Sequence, residues 1–168
     1  MKYSILPVLL TLLLSCDDGD LSIETIDFDS VDPQTCESTV TTESTLFFKI
    51  NDDEALILTL EGGVLNNEVP ETDIVSEIPG QSQLVYRIFS DGVTQTYFCD
   101  AVPPVDPVVV EEIEASNGSV LVSTVAGEEG IFEHTIRLDD ITFLTGADER
   151  ITDLTINEFG TVTTKAEE

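Results

Sequence analysis

Between Thr45 and Thr164 the apolar residues come in short runs broken by Gly, Pro, Asn and Asp, and no stretch keeps a helical period. An amphipathic helix needs apolar residues at i, i+3, i+4 and i+7 over several turns, whereas short β-branched and aromatic runs closed by turn residues are what strands require. That pattern confines the chain to an all-β fold. Residues 45–50 and 55–60 read as strands joined across Asn51-Asp52-Asp53-Glu54, a connection of hairpin length. Residues 84–89 and 94–99 flank Ser90-Asp91-Gly92-Val93, and Asp-Gly between two such runs predicts a second hairpin. Residues 108–115 and 119–125 flank Ser116-Asn117-Gly118 and predict a third. The run 131–144 places Phe132, His134, Ile136 and Leu138 on one face, and 151–156 and 159–164 follow as shorter strands. Residues 21–29 alternate apolar and acidic side chains and read as an edge strand, while 62–83 read as a long loop holding one short strand. The prolines of Ala101-Val-Pro-Pro-Val-Asp-Pro107 cannot donate to a ladder, so this segment is an extended crossover. About nine or ten strands in this order predict one antiparallel β-sandwich over residues 21–165. The alternative is two small β-subdomains divided at 103–107, each with a smaller core.

Charge limits the partners. The chain carries 34 acidic and 6 basic side chains, a net charge of −28. Such a surface repels nucleic acid and anionic lipid headgroups and draws in cations, which excludes nucleic-acid binding. Acidic chains that stay disordered are poor in apolar residues; here those are 41% of the chain and are gathered into runs, so a folded core is expected.

The first residues carry different information. Lys2 precedes an apolar run over residues 5–14, interrupted by Pro7 and Thr11, which ends in Leu13-Leu14-Ser15-Cys16. That run is too short for a membrane-spanning helix, which needs about 20 residues, but suits the core of a signal peptide. Leu-Leu-Ser-Cys resembles the lipobox of bacterial lipoprotein precursors. The resemblance implies a signal peptide over residues 1–15, cleavage before Cys16, and a diacylglycerol thioether on Cys16 that holds the chain to a membrane. An ordinary signal peptide with a Cys at its boundary is the other reading. Asp17, Asp18 and Asp20 follow at once, within a tether over residues 16–20. A single Asp after the lipidated Cys marks inner-membrane retention in enteric bacteria. A cluster of acids there resembles the Bacteroidota signal that sends lipoproteins to the outer face of the outer membrane, and three acids in four residues favour this over a plain solvated tether. The Cys-Asp-Asp-Gly-Asp start and the Pro-rich segment before Val-Val-Val-Glu-Glu are also similar to those of uncharacterised flavobacterial lipoproteins, a likeness that implies no activity. Asp29-Ser30-Val31 resembles the acceptor tripeptide of Bacteroidota O-glycosylation, with Ser30 as the acceptor.

With Cys16 assigned to lipid, Cys36 and Cys99 remain as an even pair in an oxidising compartment and predict a disulfide. Calcium takes six to eight oxygen ligands, and Asp-rich loops supply them. Of the acidic groups Asp27/Asp29/Asp32, Asp52-Asp53-Glu54 and Asp139-Asp140, the first is the leading calcium candidate; the alternative is a solvated anionic surface. None has the spacing of an EF-hand loop. His134 is the only histidine, sits on a strand and has no nucleophile motif nearby, so no catalytic triad is expected. The chain therefore reads as a non-enzymatic surface lipoprotein that binds a protein or polymer or serves envelope assembly. The second reading is a carbohydrate-binding accessory of a glycan-uptake system. It is weakened by the lack of Trp, and Tyr86 and Tyr97 would have to supply the stacking rings.

Overall fold

The computed structural model describes residues 26–145, 150–151 and 157–166. Its strands are β1 (Leu46–Asn51), β2 (Glu54–Thr59), β3 (Ile74–Ile78), β4 (Gln83–Phe89), β5 (Val109–Ala126), β6 (Ile131–Leu144), β7 (Arg150–Ile151) and β8 (Glu158–Lys165), with one short helix, α1 (Gln95–Cys99). Every strand pairing is antiparallel, and the eight strands form one curled sheet.

The sheet curls because β5 changes partners along its length. Residues up to Glu114 pair with β4, and from Ala115 onward β5 pairs with β6 while Gly118–Val122 also meet β3. One half is thus β1-β2-β4 with the start of β5, the other β3, the end of β5, β6 and β8. The changeover carries two register shifts, between Ala115 and Ser119. Bulges of this kind let one strand bend and serve two packed layers. Gly118 makes the bend, at φ +131, and a Cβ there would lie 2.6 Å from Ile141 Cδ1 and 2.9 Å from the Asp139 carbonyl. Only glycine has neither conflict.

Strand alternation then builds the core. Leu56 faces Tyr86 across β2–β4, and Tyr86 faces Ile113 across β4–β5. These pack with Val120, Val122, Ile136, Leu138 and Phe159 from the other half in a single cluster. The opposite face of β1-β2-β4 is also covered. Phe48, Ala55, Ile57, Phe89 and Val93 form a second cluster under α1. There Phe98 stacks on Phe48 with centroids 4.5 Å apart, and Tyr97 stands edge-on to Phe89 at 4.9 Å.

The all-β expectation holds, with the sandwich made by one sheet folded on itself. Several local expectations do not. Residues 94–99 form α1, not the return strand of an Asp-Gly hairpin, because both edges of β4 are taken by β2 and β5. Residues 108–115 and 119–125 do not pair with each other: Ser116-Asn117-Gly118 lies inside continuous β5. Residues 26–29 form no ladder. Ile26 and Phe28 alternate because they are buried, not because they are paired. The loop expected over 62–83 does hold a strand, β3. Of the strand expected over 151–156, only Ile151 lies within the described residues.

Cys36 and Cys99 are bonded, with Cα atoms 5.1 Å apart and a sequence separation of 63. The bond ties α1 to the segment that precedes β1, and Gln95 Nε2 donates to the Thr35 carbonyl beside it at 2.8 Å. Closing a loop of this length stabilises by about 4 kcal/mol through the unfolded chain. Replacing both cysteines by serine should therefore cost about 2 to 5 kcal/mol in denaturant unfolding. A thiol assay on the unfolded, unreduced Cys16→Ser chain should find no free thiol.

Candidate functional site

The two halves of the sheet leave a seam between their outermost strands, β1 and β8, and residues 26–34 fill it. Ile26 and Phe28 are fully buried. The chain then turns, Val31 N–H donating to the Phe28 carbonyl at 3.1 Å, which leaves Ser30 exposed at the turn. Gln34 exchanges both backbone hydrogen bonds with Phe48 of β1, at 2.8 and 2.9 Å. Asn51 Nδ2 donates to the Asp27 carbonyl at 3.1 Å. On the β8 side Pro33 lies flat on Gly160, where a Cβ would come within 2.6 Å of Pro33 Cδ.

Between this segment and the two strands lies a cavity of about 600 Å3, lined by Asp29, Val31, Asp32 and Pro33, by Lys49 of β1, and by Asn157, Glu158, Gly160 and Thr161. Lys49 is its unusual member. It lies on the core-facing side of β1, paired with Leu56, and is 3% exposed. Its ammonium sits 5.8 Å from the centre of the Phe159 ring. Among the described residues it makes no hydrogen bond and no ion pair, acidic as the chain is. By contrast Arg87 pairs with Glu112, and Arg137 with Asp73. Burial holds the Lys49 pKa below its usual 10.5, against the field of Asp29, Asp32, Glu158 and Asp27, which pulls it up.

The acids expected to hold calcium are placed differently from that expectation. Among the described residues, no group of three or more His, Cys, Asp or Glu is arranged for a metal ion. Asp27, Asp29 and Asp32 stand around a buried ammonium, which already supplies positive charge there. Asp27 Oδ1 accepts the Asp29 backbone N–H at 3.1 Å. Asp52 and Asp53 form the two-residue turn of the β1–β2 hairpin, and Asp139 and Asp140 lie within β6 opposite the register shifts of β5, Asp140 at φ 52. Cys16, Asp17, Asp18 and Asp20 lie outside the described residues.

His134 is fully buried in β6. Thr164 Oγ1 donates to Asn67 Oδ1 at 2.6 Å, so it accepts from His134 Nε2–H at 2.8 Å, which leaves Nδ1 to accept from the Thr124 hydroxyl at 2.9 Å. The imidazole is neutral and fully occupied. Tyr86 is 1% exposed, its hydroxyl donating to Glu54 Oε1 at 2.7 Å. Tyr97 packs against Phe89 and Phe98. Tyr86 is thus buried away from solvent, whereas Tyr97 is half-buried.

Lys49 was missed in the sequence because a lysine near the end of an apolar run usually reaches water. The available signal was its position inside Leu-Phe-Phe-Lys-Ile, a run too apolar for a strand with one wet face.

No family model, no curated protein and no solved structure matches this chain.

Two outcomes follow from the buried bases. Burial lowers the His134 pKa below the usual 6.5, so the unfolded chain takes a proton more readily than the folded one. The contribution of neutral His134 to stability is complete above about pH 6.5 and declines as pH falls below it. Thermal melts at about pH 7.5 and about pH 5.5 should show a lower Tm at the acid end, with a smaller difference in His134→Gln. Lys49 pays a similar desolvation cost at neutral pH. Lys49→Met, of similar length and uncharged, should melt at or above the wild-type Tm at pH 7.

Proposed function

We propose that this chain is an exported lipoprotein, anchored to the outer membrane through Cys16 and displayed at the cell surface, where it acts as a non-enzymatic binding module. The observation that carries the binding part is the seam cavity with an unpaired, buried Lys49 ammonium on its wall. A charged group taken from water without a partner costs free energy that packing alone does not return, whereas a ligand that pairs with it offsets the cost.

Support for export comes from the Leu-Leu-Ser-Cys sequence, the acids at Asp17, Asp18 and Asp20, and the Cys36–Cys99 bond, since disulfides persist in oxidising compartments. Support for a non-enzymatic role comes from His134, the one imidazole, which is held between two threonines and is not among the residues lining the seam cavity. Among the described residues no helix is long and apolar enough to cross a membrane. Envelope assembly is compatible with the same arrangement, the bound partner then being another envelope component.

Mass spectrometry of the amino terminus should find a lipidated Cys16 with residues 1–15 removed. Cys16→Ser should move the protein out of the membrane fraction or leave it unprocessed. An unmodified Cys16 would overturn the anchor. Protease added to whole cells should remove the protein, and changing Asp17, Asp18 and Asp20 to Ala should protect it.

A further inference from the structure

We propose that the seam cavity takes a small zwitterion, a molecule bearing both a free carboxylate and a free ammonium, of the amino-acid or short-peptide class. This rests on the reading of the chain as a binding module and assigns its ligand. The ligand carboxylate meets Lys49, and its ammonium meets Asp29, Asp32 and Glu158.

The reasoning is one of charge and satisfaction. Lys49 is 3% exposed, lines the cavity and, among the described residues, makes no hydrogen bond or ion pair. An acceptor entering the cavity gains a charge-assisted hydrogen bond to a group that is already desolvated. A simple anion would satisfy Lys49 but would enter between three lining carboxylates. A simple cation would meet those carboxylates and leave Lys49 unpaired, with a second positive charge beside it. No aromatic side chain lines the cavity among the described residues, and Phe159 is fully buried behind Lys49, so a neutral sugar has no ring to stack on.

A zwitterion uses both signs at once. Among the described residues no donor reaches the side-chain oxygens of Asp29, Asp32 or Glu158, so they are open to an incoming ammonium. Asn157 and Thr161 add neutral polar groups on the same wall, suited to a peptide amide. The net charge of −28 raises the local concentration of molecules that lead with a cationic end. A volume of about 600 Å3 falls within the ordinary range of small-molecule sites.

The test is calorimetric titration of the full-length, detergent-solubilised protein in physiological salt. The probes are alanine, alanyl-alanine, N-acetyl-alanyl-alanine, alanyl-alanine amide and maltose. One of the two zwitterions should bind, and which of them does distinguishes the amino acid from the peptide. Blocking either charged end should weaken binding about tenfold or more, the effect of losing one charge-assisted hydrogen bond. Lys49→Met, which should fold at least as stably, should lose the zwitterion. Glu158→Gln should weaken it. Equal or tighter binding of the acetylated form, the amide or maltose overturns the zwitterion while leaving a binding module. Unchanged zwitterion binding by Lys49→Met overturns the site. Silence from every probe overturns the assignment, and the state of Cys16 then tests the anchored reading separately.

Discussion

The structure depends on one strand serving two layers. β5 leaves β4 and takes up β3 and β6 within a few residues, and this is possible only because Gly118 adopts a backbone angle and a closeness to Ile141 that a Cβ forbids. A straight β5 would leave the sheet open, with Val120 and Val122 facing water instead of the Leu56–Tyr86–Ile113 layer. Because the halves are joined through this strand, they close like a hinged cover, and their free edges, β1 and β8, come together on the far side.

The proposed site lies along that closure. The two edges do not pair with each other; the segment from Ile26 to Gln34 lies between them, with its apolar side chains inward and its acids outward. Pro33 needs Gly160 to approach β8, and Gln34 needs the open edge of β1. What remains unfilled is the cavity, and Lys49 meets it from the core side. Two buried bases thus have opposite fates. His134 is satisfied by Thr124 and Thr164 and is part of the packing. Lys49 is surrounded by opposite charge but bonded to none of it. Water and long-range fields screen such a group only in part.

The same segment links the cavity to the proposed anchor. Cys16 and Ile26 are ten positions apart, a span of at most about 35 Å when fully extended. The Cys36–Cys99 bond fixes the other end of the segment to α1. A lipid on Cys16 would hold the seam end of the domain near the membrane, and the acidic surface would keep the rest in solution. A ligand released or presented at the envelope would meet this end.

Sequence alone determined what depends on local chemistry and on composition. Turn residues between β-rich runs set an all-β chain, an even cysteine pair predicted the disulfide, and the charge and the first twenty residues carried the expectations about partners and export. The β1–β2 hairpin was legible because its strands are sequence neighbours that pair. The Asp-Gly turn after β4 misled for the reverse reason: its signal is local, but β4 had no free edge left, and the following residues became α1 over Phe48 and Phe89. Ser116-Asn117-Gly118 carried a true signal for a bend, yet the two arms found partners distant in sequence, not each other. Asp27, Asp29 and Asp32 read as a calcium loop because their neighbour across the seam, Lys49, lies on a strand beyond them and could not be seen. Tertiary structure decided these points because strand pairing and burial depend on which edges remain free once the whole sheet has closed, and no local stretch contains that information.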